Sequence, residues 1–320
     1  MTMLTGRNIA VTGATGFIGG RIVEYLTLAT GAHVRCLVRS YTRLHRLADL
    51  PQDRLAFHRA DLLDPGALRR ALDGCDTVIH CAFGNDGTAE QQWHVTVDGT
   101  RNLIDAACAL PIERIVHLGT AAIHDLAQAR VLDEDAPRFA APEGSYEAVK
   151  AAAEDEVVRR RPDAMVLRPT VVYGPWGRDW TVVPLQRLAA GVRLPAGDAG
   201  GVSNAVFVDD VARAAVLAAG CDASGPMIIA ASELVTWGQF FDAFRALRAA
   251  PSPEATTEIE DWERSLYAAT CRADIGRARR LLGYQPRVAF AAGMQRVASW
   301  DRWYHQQAGH HGGVGCPDGS

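Results

Sequence analysis

The chain reads as an α/β protein: a doubly wound parallel sheet followed by a smaller C-terminal α/β region. Three observations predict this. Short apolar runs alternate regularly with amphipathic stretches through the first half of the 320 residues. The runs are apolar on both faces, as in strands covered by helices on both sides. A glycine-rich turn joins the first run to the first helical stretch.

Taken in order, the strand candidates are NIAVTG, HVRCLVR, LAFHRAD, DTVIHCA, RIVHLGT and DAMVLRPT. Between them GGRIVEYLTLAT, GALRRALDG, VDGTRNLIDAACA and SYEAVKAAAEDEVVRRR carry apolar residues at helical spacing. After RPTVVYGP the rhythm breaks. Residues 176–204 are rich in Gly, Pro and Trp, with one short helix at PLQRLAAG. NAVFVDDVARAAVLAAG then supplies a strand and a helix, and WGQFFDAFRALRAA a further helix. The expected division is a cofactor domain over 1–175, rejoined by 206–220. A substrate-binding region takes 176–205 and 221–304, with 251–260 as a loop. A disordered tail is expected over 305–320.

Composition narrows the function. A net charge of −4 and a pI near 6.2 argue against nucleic acid and anionic membranes as partners. No apolar run reaches the ~18–20 residues that span a bilayer. Met1 leads directly towards the first strand without a signal-peptide pattern. The seven cysteines form no CxxC pair, so reduced thiols in a cytoplasm are expected and no metal site is. The histidines of the tail (305, 310, 311) lack the surroundings that a metal centre needs.

VTGATGFIGG places Gly13, Gly16 and Gly19 between the first strand and the first helix, with Thr15, Phe17 and Ile18 among them. Glycines let the backbone turn sharply and approach a pyrophosphate, which rests on the free N–H groups of the helix N-terminus. A tight β-α turn uses glycine anyway, so the context matters: strand before, helix after. This is the Rossmann arrangement for a dinucleotide. At the end of the second strand an acid would hold a ribose 2′-hydroxyl. CLVRSYTR has Arg39 there and Arg43 beyond it, which suits a 2′-phosphate and predicts NADP(H) over NAD(H). Asp61 in RADLLD, followed by Leu62, stands where a carboxylate can take the adenine amino group.

Of 33 cationic residues only Lys150 is lysine. Tyr146 lies four residues before it on one helix face. A free phenol titrates near ~10, and a nearby cation lowers that value. Lysine also offers a compact charge with three donors for ribose hydroxyls, which the guanidinium fork does not match.

Together TGATGFIG, ADL, VIHCA, RIVHLGTAAIHD, YEAVK, LRPTVVYGP and FVDDVA resemble the extended short-chain dehydrogenase/reductases over residues 7–304. That group includes nucleotide-sugar epimerases and dehydratases and dihydroflavonol-type reductases. The resemblance implies that Thr120 is the catalytic hydroxyl beside Tyr146. It also implies that Cys81 and Ala82 line the cofactor, that Pro169, Thr170 and Val171 approach its nicotinamide, and that the protein is a homodimer. The chain departs from the family at several places. Thr96 replaces a common Asn. Val171 stands where nucleotide-sugar members often carry Asn, and Ser203 where they often carry a diphosphate-gripping Arg. Arg178, Arg187 or Arg193 could compensate. The expected activity is hydride transfer from NADPH to a carbonyl compound, with Tyr146 as general acid/base. The alternative is an epimerase or dehydratase of a nucleotide-activated sugar that retains its cofactor. A non-catalytic cofactor-binding regulator conflicts with an intact Thr-Tyr-Lys set. Phe83, His124, Trp176 and Trp180 are candidates for an apolar substrate pocket, or for plain packing.

Overall fold

The first half folds as β1 (Asn8–Thr12), α1 (Phe17–Ala29), β2 (His33–Val38), β3 (Leu55–Arg59), α2 (Pro65–Leu72), β4 (Thr77–His80), α3 (Ala89–Trp93), α4 (Gly99–Cys108) and β5 (Arg114–Leu118). There follow β6 (Val131–Leu132), α5 (Tyr146–Arg160), β7 (Met165–Pro169), β8 (Val172–Tyr173), α6 (Val183–Ala189), β9 (Val206–Phe207) and α7 (Val208–Ala219). The chain continues through β10 (Gly225–Ile229), α8 (Trp237–Arg245), α9 (Asp261–Ala268), β11 (Arg272–Ala273), α10 (Gly276–Leu282) and α11 (Phe290–His310). This is a computed structural model that describes residues 4–84, 86–192, 194, 200–247 and 259–310.

Seven strands form one parallel sheet in the order β10-β7-β5-β4-β1-β2-β3. The order reverses between β1 and β4, which opens a crevice at the carboxyl ends of those two strands. Alternation along each strand divides the core. Val11, Ile79, Val116 and Leu167 face one side with α1 and α7, while Ala10, Val78 and Ile115 face the other with α2 and α4. Local chemistry fixes the helix starts. The Asp64 carboxylate accepts from Ala67 N–H at 2.9 Å with Pro65 in the first turn of α2, and the Ser145 hydroxyl accepts from Ala148 N–H at 3.3 Å to start α5. Thr236 and Gln239 form a capping box on α8, whose Trp237, Phe240, Phe241 and Phe244 share one buried face. With Tyr173, Phe207 and Tyr267 they build a separate aromatic core, where full burial of each large apolar side chain stabilises by about 1.5–3 kcal/mol.

Two expectations differ from the structure. Residues 225–229, inside the 221–304 stretch expected to form part of the substrate-binding region, pair with β7 as the sheet's edge strand. GPMII is short and follows a helix that already belongs to the sheet, so its membership depends on the edge that β7 leaves open. The tail is helical to His310 rather than irregular from 305, and 311–320 lie outside the described residues. The loop expected over 251–260 also falls outside them up to 258.

Candidate active site at the carboxyl edge of the sheet

Gly13 takes a left-handed φ of 63°, and a Cβ on it would stand 2.8 Å from Ala82 N, across the crevice between β1 and β4. A Cβ on Gly19 would collide with Gly13 O. Only glycine lets this turn close onto the N-terminus of α1 while leaving room for a ligand backbone. Gly16 is the exposed cap of α1, followed by half-buried Phe17 and Ile18, and Thr15 is half-buried ahead of it. Such a cradle, with free helix N–H groups and no side chain in the way, fits a dinucleotide pyrophosphate.

Arg39 follows β2 directly, is 61% exposed, and has its Nη2 4.0 Å from an Asp86 carboxylate oxygen. Arg43 ends an exposed single turn (Tyr41–Arg43). Arg46 was not anticipated. Its Nη1 donates to the carbonyls of Gly16 and Phe17 at 3.3 and 3.2 Å and its Nε to Glu24 at 2.8 Å, fastening the 39–46 loop to the glycine turn. Within an Arg-rich chain nothing in the sequence separates it from its neighbours. The exposed Asp61 follows β3 and accepts from Leu63 N–H at 2.9 Å, while Leu62 is buried against Gly99.

At the ends of β1 and β4 one hydroxyl organises the backbone. Cys81 and Ala82 N–H both donate to Thr12 Oγ1 at 3.2 Å. Thr12 lies 2.7 Å from His80 Nδ1, and His80 Nε2 lies 2.8 Å from Thr100 Oγ1, which itself donates to Thr96 O. The Thr100 proton is thus spent, so His80 donates through Nε2 and accepts through Nδ1, as a neutral ring. Burial, with the Lys150 charge adding to it, pushes the His80 pKa down to about 3. Burial pushes the Cys81 thiol up to about 12.

Tyr146 stands in the first turn of α5 and is 45% exposed, with its ring edge-on to Phe83 at 5.3 Å. Thr120, the residue that caps the turn after β5, stands close enough to the Tyr146 hydroxyl to lower the phenol pKa. Desolvation of that hydroxyl raises the phenol to about 12; the Thr120 contact works in the opposite sense, and Asp179 and Glu147 reinforce the rise. Lys150, one turn on, is buried, donates to Leu118 O at 2.7 Å, and lies 5.7 Å from the Phe83 ring centre. Burial lowers its pKa to about 8, against the pull of the Glu154 carboxylate. The expected lowering of the phenol by Lys150 is therefore not found here: desolvation dominates, and the ammonium is engaged with the strand carbonyl.

Behind this pair, Glu154 on α5 and Arg168 on β7 form a buried ion pair, and Arg168 Nη1 also reaches His124 Nε2 and Glu134 O at 3.1 Å each. His124 Nδ1 donates to Ala136 O at 2.8 Å, so this histidine is spent in the support layer and does not line the cleft. Trp176 packs on Trp300 and Tyr304 of α11, and Trp180 on Trp237. Of the four pocket candidates, Phe83 is the one that touches Tyr146.

Pro169 ends β7, Thr170 Oγ1 donates to Asn204 O at 2.5 Å, and Val171 sits half-buried on the aromatic core. Ser203 is buried and donates to Val235 O at 2.9 Å. Arg187 is paired with Glu263 at 3.1 Å, Arg178 is exposed, and Arg193 lies outside the described residues. Among the described residues no helix is long and apolar enough to cross a membrane, and no cluster of metal-ligating side chains occurs.

Comparison with known proteins agrees with this geometry. The chain is 32% identical over 300 residues to a 3-diazoavenalumate denitrifying reductase from a Streptomyces species, covering 87% of this chain and 95% of that protein. It is 34% identical over 230 residues to cinnamoyl-CoA reductase 1 of Oryza sativa subsp. japonica, covering 65% of this chain and 66% of the plant protein. The crystal structure of DesIV, a dTDP-glucose 4,6-dehydratase from Streptomyces venezuelae with NAD and TYD bound, superimposes with a TM-score of 0.80 at 25% identity, covering 95% and 98% of the two chains. The profile of one family matches residues 9–229, from β1 through the edge strand β10. By that match the protein belongs to the NAD dependent epimerase/dehydratase family.

Proposed function

We propose that the protein is an NADPH-dependent reductase of a carbonyl compound. The observation that carries this reading is the environment of Tyr146: a half-exposed phenol set edge-on to Phe83, with the Thr120 side chain beside its hydroxyl and a raised pKa that keeps its proton on at neutral pH. A phenol so placed can donate a proton to a developing alkoxide. NADPH supplies the hydride when bound. Thr120 orients the carbonyl oxygen, Tyr146 gives it a proton, and Lys150 holds a positive charge beneath the site and offers donors to ribose hydroxyls. The pyrophosphate is assigned to Gly13, Thr15, Gly16, Phe17, Ile18 and Gly19, and the 2′-phosphate to Arg39 and Arg43. The adenine is assigned to Asp61 and Leu62, and the nicotinamide side to Cys81, Ala82, Pro169, Thr170 and Val171.

The surroundings favour reduction over sugar-nucleotide chemistry. A diphosphate needs cationic or amide partners when it is taken out of water. Val171 offers no hydrogen bond, Ser203 spends its hydroxyl on Val235, and Arg187 is paired with Glu263. Asp179, close enough to raise the Tyr146 pKa, adds a negative charge near the cleft. Two relatives at 32–34% identity are named as reductases. The opposing reading, an epimerase or dehydratase with retained cofactor, draws on the resemblance to the dTDP-glucose dehydratase structure.

The deciding experiment sets NADPH with a panel of aromatic and aliphatic carbonyl compounds against calorimetry with UDP- and dTDP-sugars. Stoichiometric NADPH oxidation with weak or absent nucleotide binding is expected. Micromolar binding of a sugar nucleotide without net cofactor turnover would establish the epimerase or dehydratase reading instead. We read the enzyme as a homodimer, which light scattering tests. We also assign it to the cytoplasm, in keeping with free thiols at all described cysteines, and fractionation of expressing cells checks that.

A further inference from the structure

His117 is a buried imidazole that no step above uses. It stands on β5 and is 1% exposed, and neither ring nitrogen has a hydrogen-bond partner among the described residues. Alternation along β5 puts it on the side of Ile115, the face covered by α2 and α4. His80 lies beside it with ring centroids 5.3 Å apart, but both nitrogens of His80 are bonded. A neutral imidazole carries one donor and one acceptor, and leaving either unpaired in the interior costs its full desolvation. Buried groups in this position are commonly satisfied by an internal water.

The neighbouring group with donors to spare is Lys150. Its ammonium has three N–H bonds, of which one is committed to Leu118 O, the residue next to His117. Its charge is felt by both His117 and His80. We propose that Lys150 and His117 share a buried water, the ammonium donating to the water and the water donating to the unprotonated ring nitrogen of His117. The proposal concerns that nitrogen alone. His117 then is a positioning residue: it holds the water, and the water favours the charged form of Lys150 by accepting from it.

The other groups facing Lys150 do not supply this. Cys81, at the end of β4, is held as a thiol by burial. Glu154, one turn further along α5, favours the ammonium but is turned to Arg168. His80 is neutral with both nitrogens engaged, Tyr146 is directed to Thr120, and Phe83 offers only its ring. A water-held acceptor therefore adds to the forces that resist desolvation of the lysine.

The consequence for turnover rests on the reading of Lys150 given under the proposed function, but the test does not. Lys150 is the only lysine in the chain, so protein labelled with ε-13C lysine gives one side-chain resonance whose pH titration reports this group directly. The parent protein is expected to titrate near 8. His117→Phe, which removes the acceptor, should lower that midpoint by about one unit, about tenfold in the protonation equilibrium. His117→Gln, which restores an acceptor, should stay within a few tenths of the parent. His117→Leu serves in place of the Phe variant if that protein does not fold. The proposal is overturned if the apolar variant titrates within a few tenths of the parent, or if the Gln variant falls as far as the apolar one. Loss of the reductase reading in a substrate screen would leave the lysine titration unaffected, so the two failures are distinguishable.

Discussion

Glu154 and Arg168 lock the catalytic-candidate helix to the sheet: Arg168 Nη2 lies 2.6 Å from Glu154 Oε1 and its Nε 3.1 Å from Oε2, with both side chains buried. Glu154 sits one helical turn beyond Lys150, and Arg168 immediately precedes Pro169 at the mouth of the cleft. The pair thus ties α5 to β7 one helical turn beyond Lys150. Removing one partner of a buried pair leaves an uncompensated charge and costs about 3–5 kcal/mol. Glu154→Ala is expected to lose stability on that scale in urea unfolding. A loss below about 1 kcal/mol would show that the pair does not hold the helix.

Cofactor choice should follow Arg39. The parent is expected to bind NADP(H) more tightly than NAD(H), and Arg39→Asp to reverse the order, because the acid repels a 2′-phosphate and accepts from a 2′-hydroxyl. Tryptophan fluorescence titration with both cofactors measures this. Equal affinities in the parent would refute the assignment.

Tyr146→Phe removes the proton donor, and general acid catalysis typically contributes about 10²–10⁴-fold. A fall in kcat of that order is expected on the substrate found by the screen, with thermal stability preserved. Lys150→Arg keeps the charge but introduces a larger planar fork under the Phe83 ring, and a similar fall is expected. Rates near the parent value for either variant would remove the pair from the mechanism.

Acid stability should carry the signature of His80. Its folded pKa is about 3, below the ordinary value of about 6.5. Between those values the unfolded chain binds a proton that the folded one refuses, so the stabilisation is complete above about 6.5 and is lost as pH falls through that window. The loss from this one group reaches about 2 kcal/mol near pH 5. His117 acts with the same sign. His80→Gln, which can still donate and accept, should flatten the dependence of the urea midpoint on pH between about 7 and 5. An unchanged slope would mean that His80 is protonated in the folded protein.

Strands β1–β5 and β7, the glycine cradle and the Tyr146–Lys150 face were legible in the chain because each rests on local rules. These are runs of apolar residues, glycines at a turn, and a four-residue spacing on a helix. Tertiary structure alone decided that β10 closes the sheet edge and that His124 is spent on Arg168 rather than on the cleft. It also decided that Arg46 clamps the glycine turn, and that desolvation, not the neighbouring lysine, governs the Tyr146 hydroxyl. Each of these depends on which groups meet across long sequence separations and on how much water reaches them. Hydrogen-bond partners and desolvation are properties of the packed interior, and no spacing in the sequence encodes them.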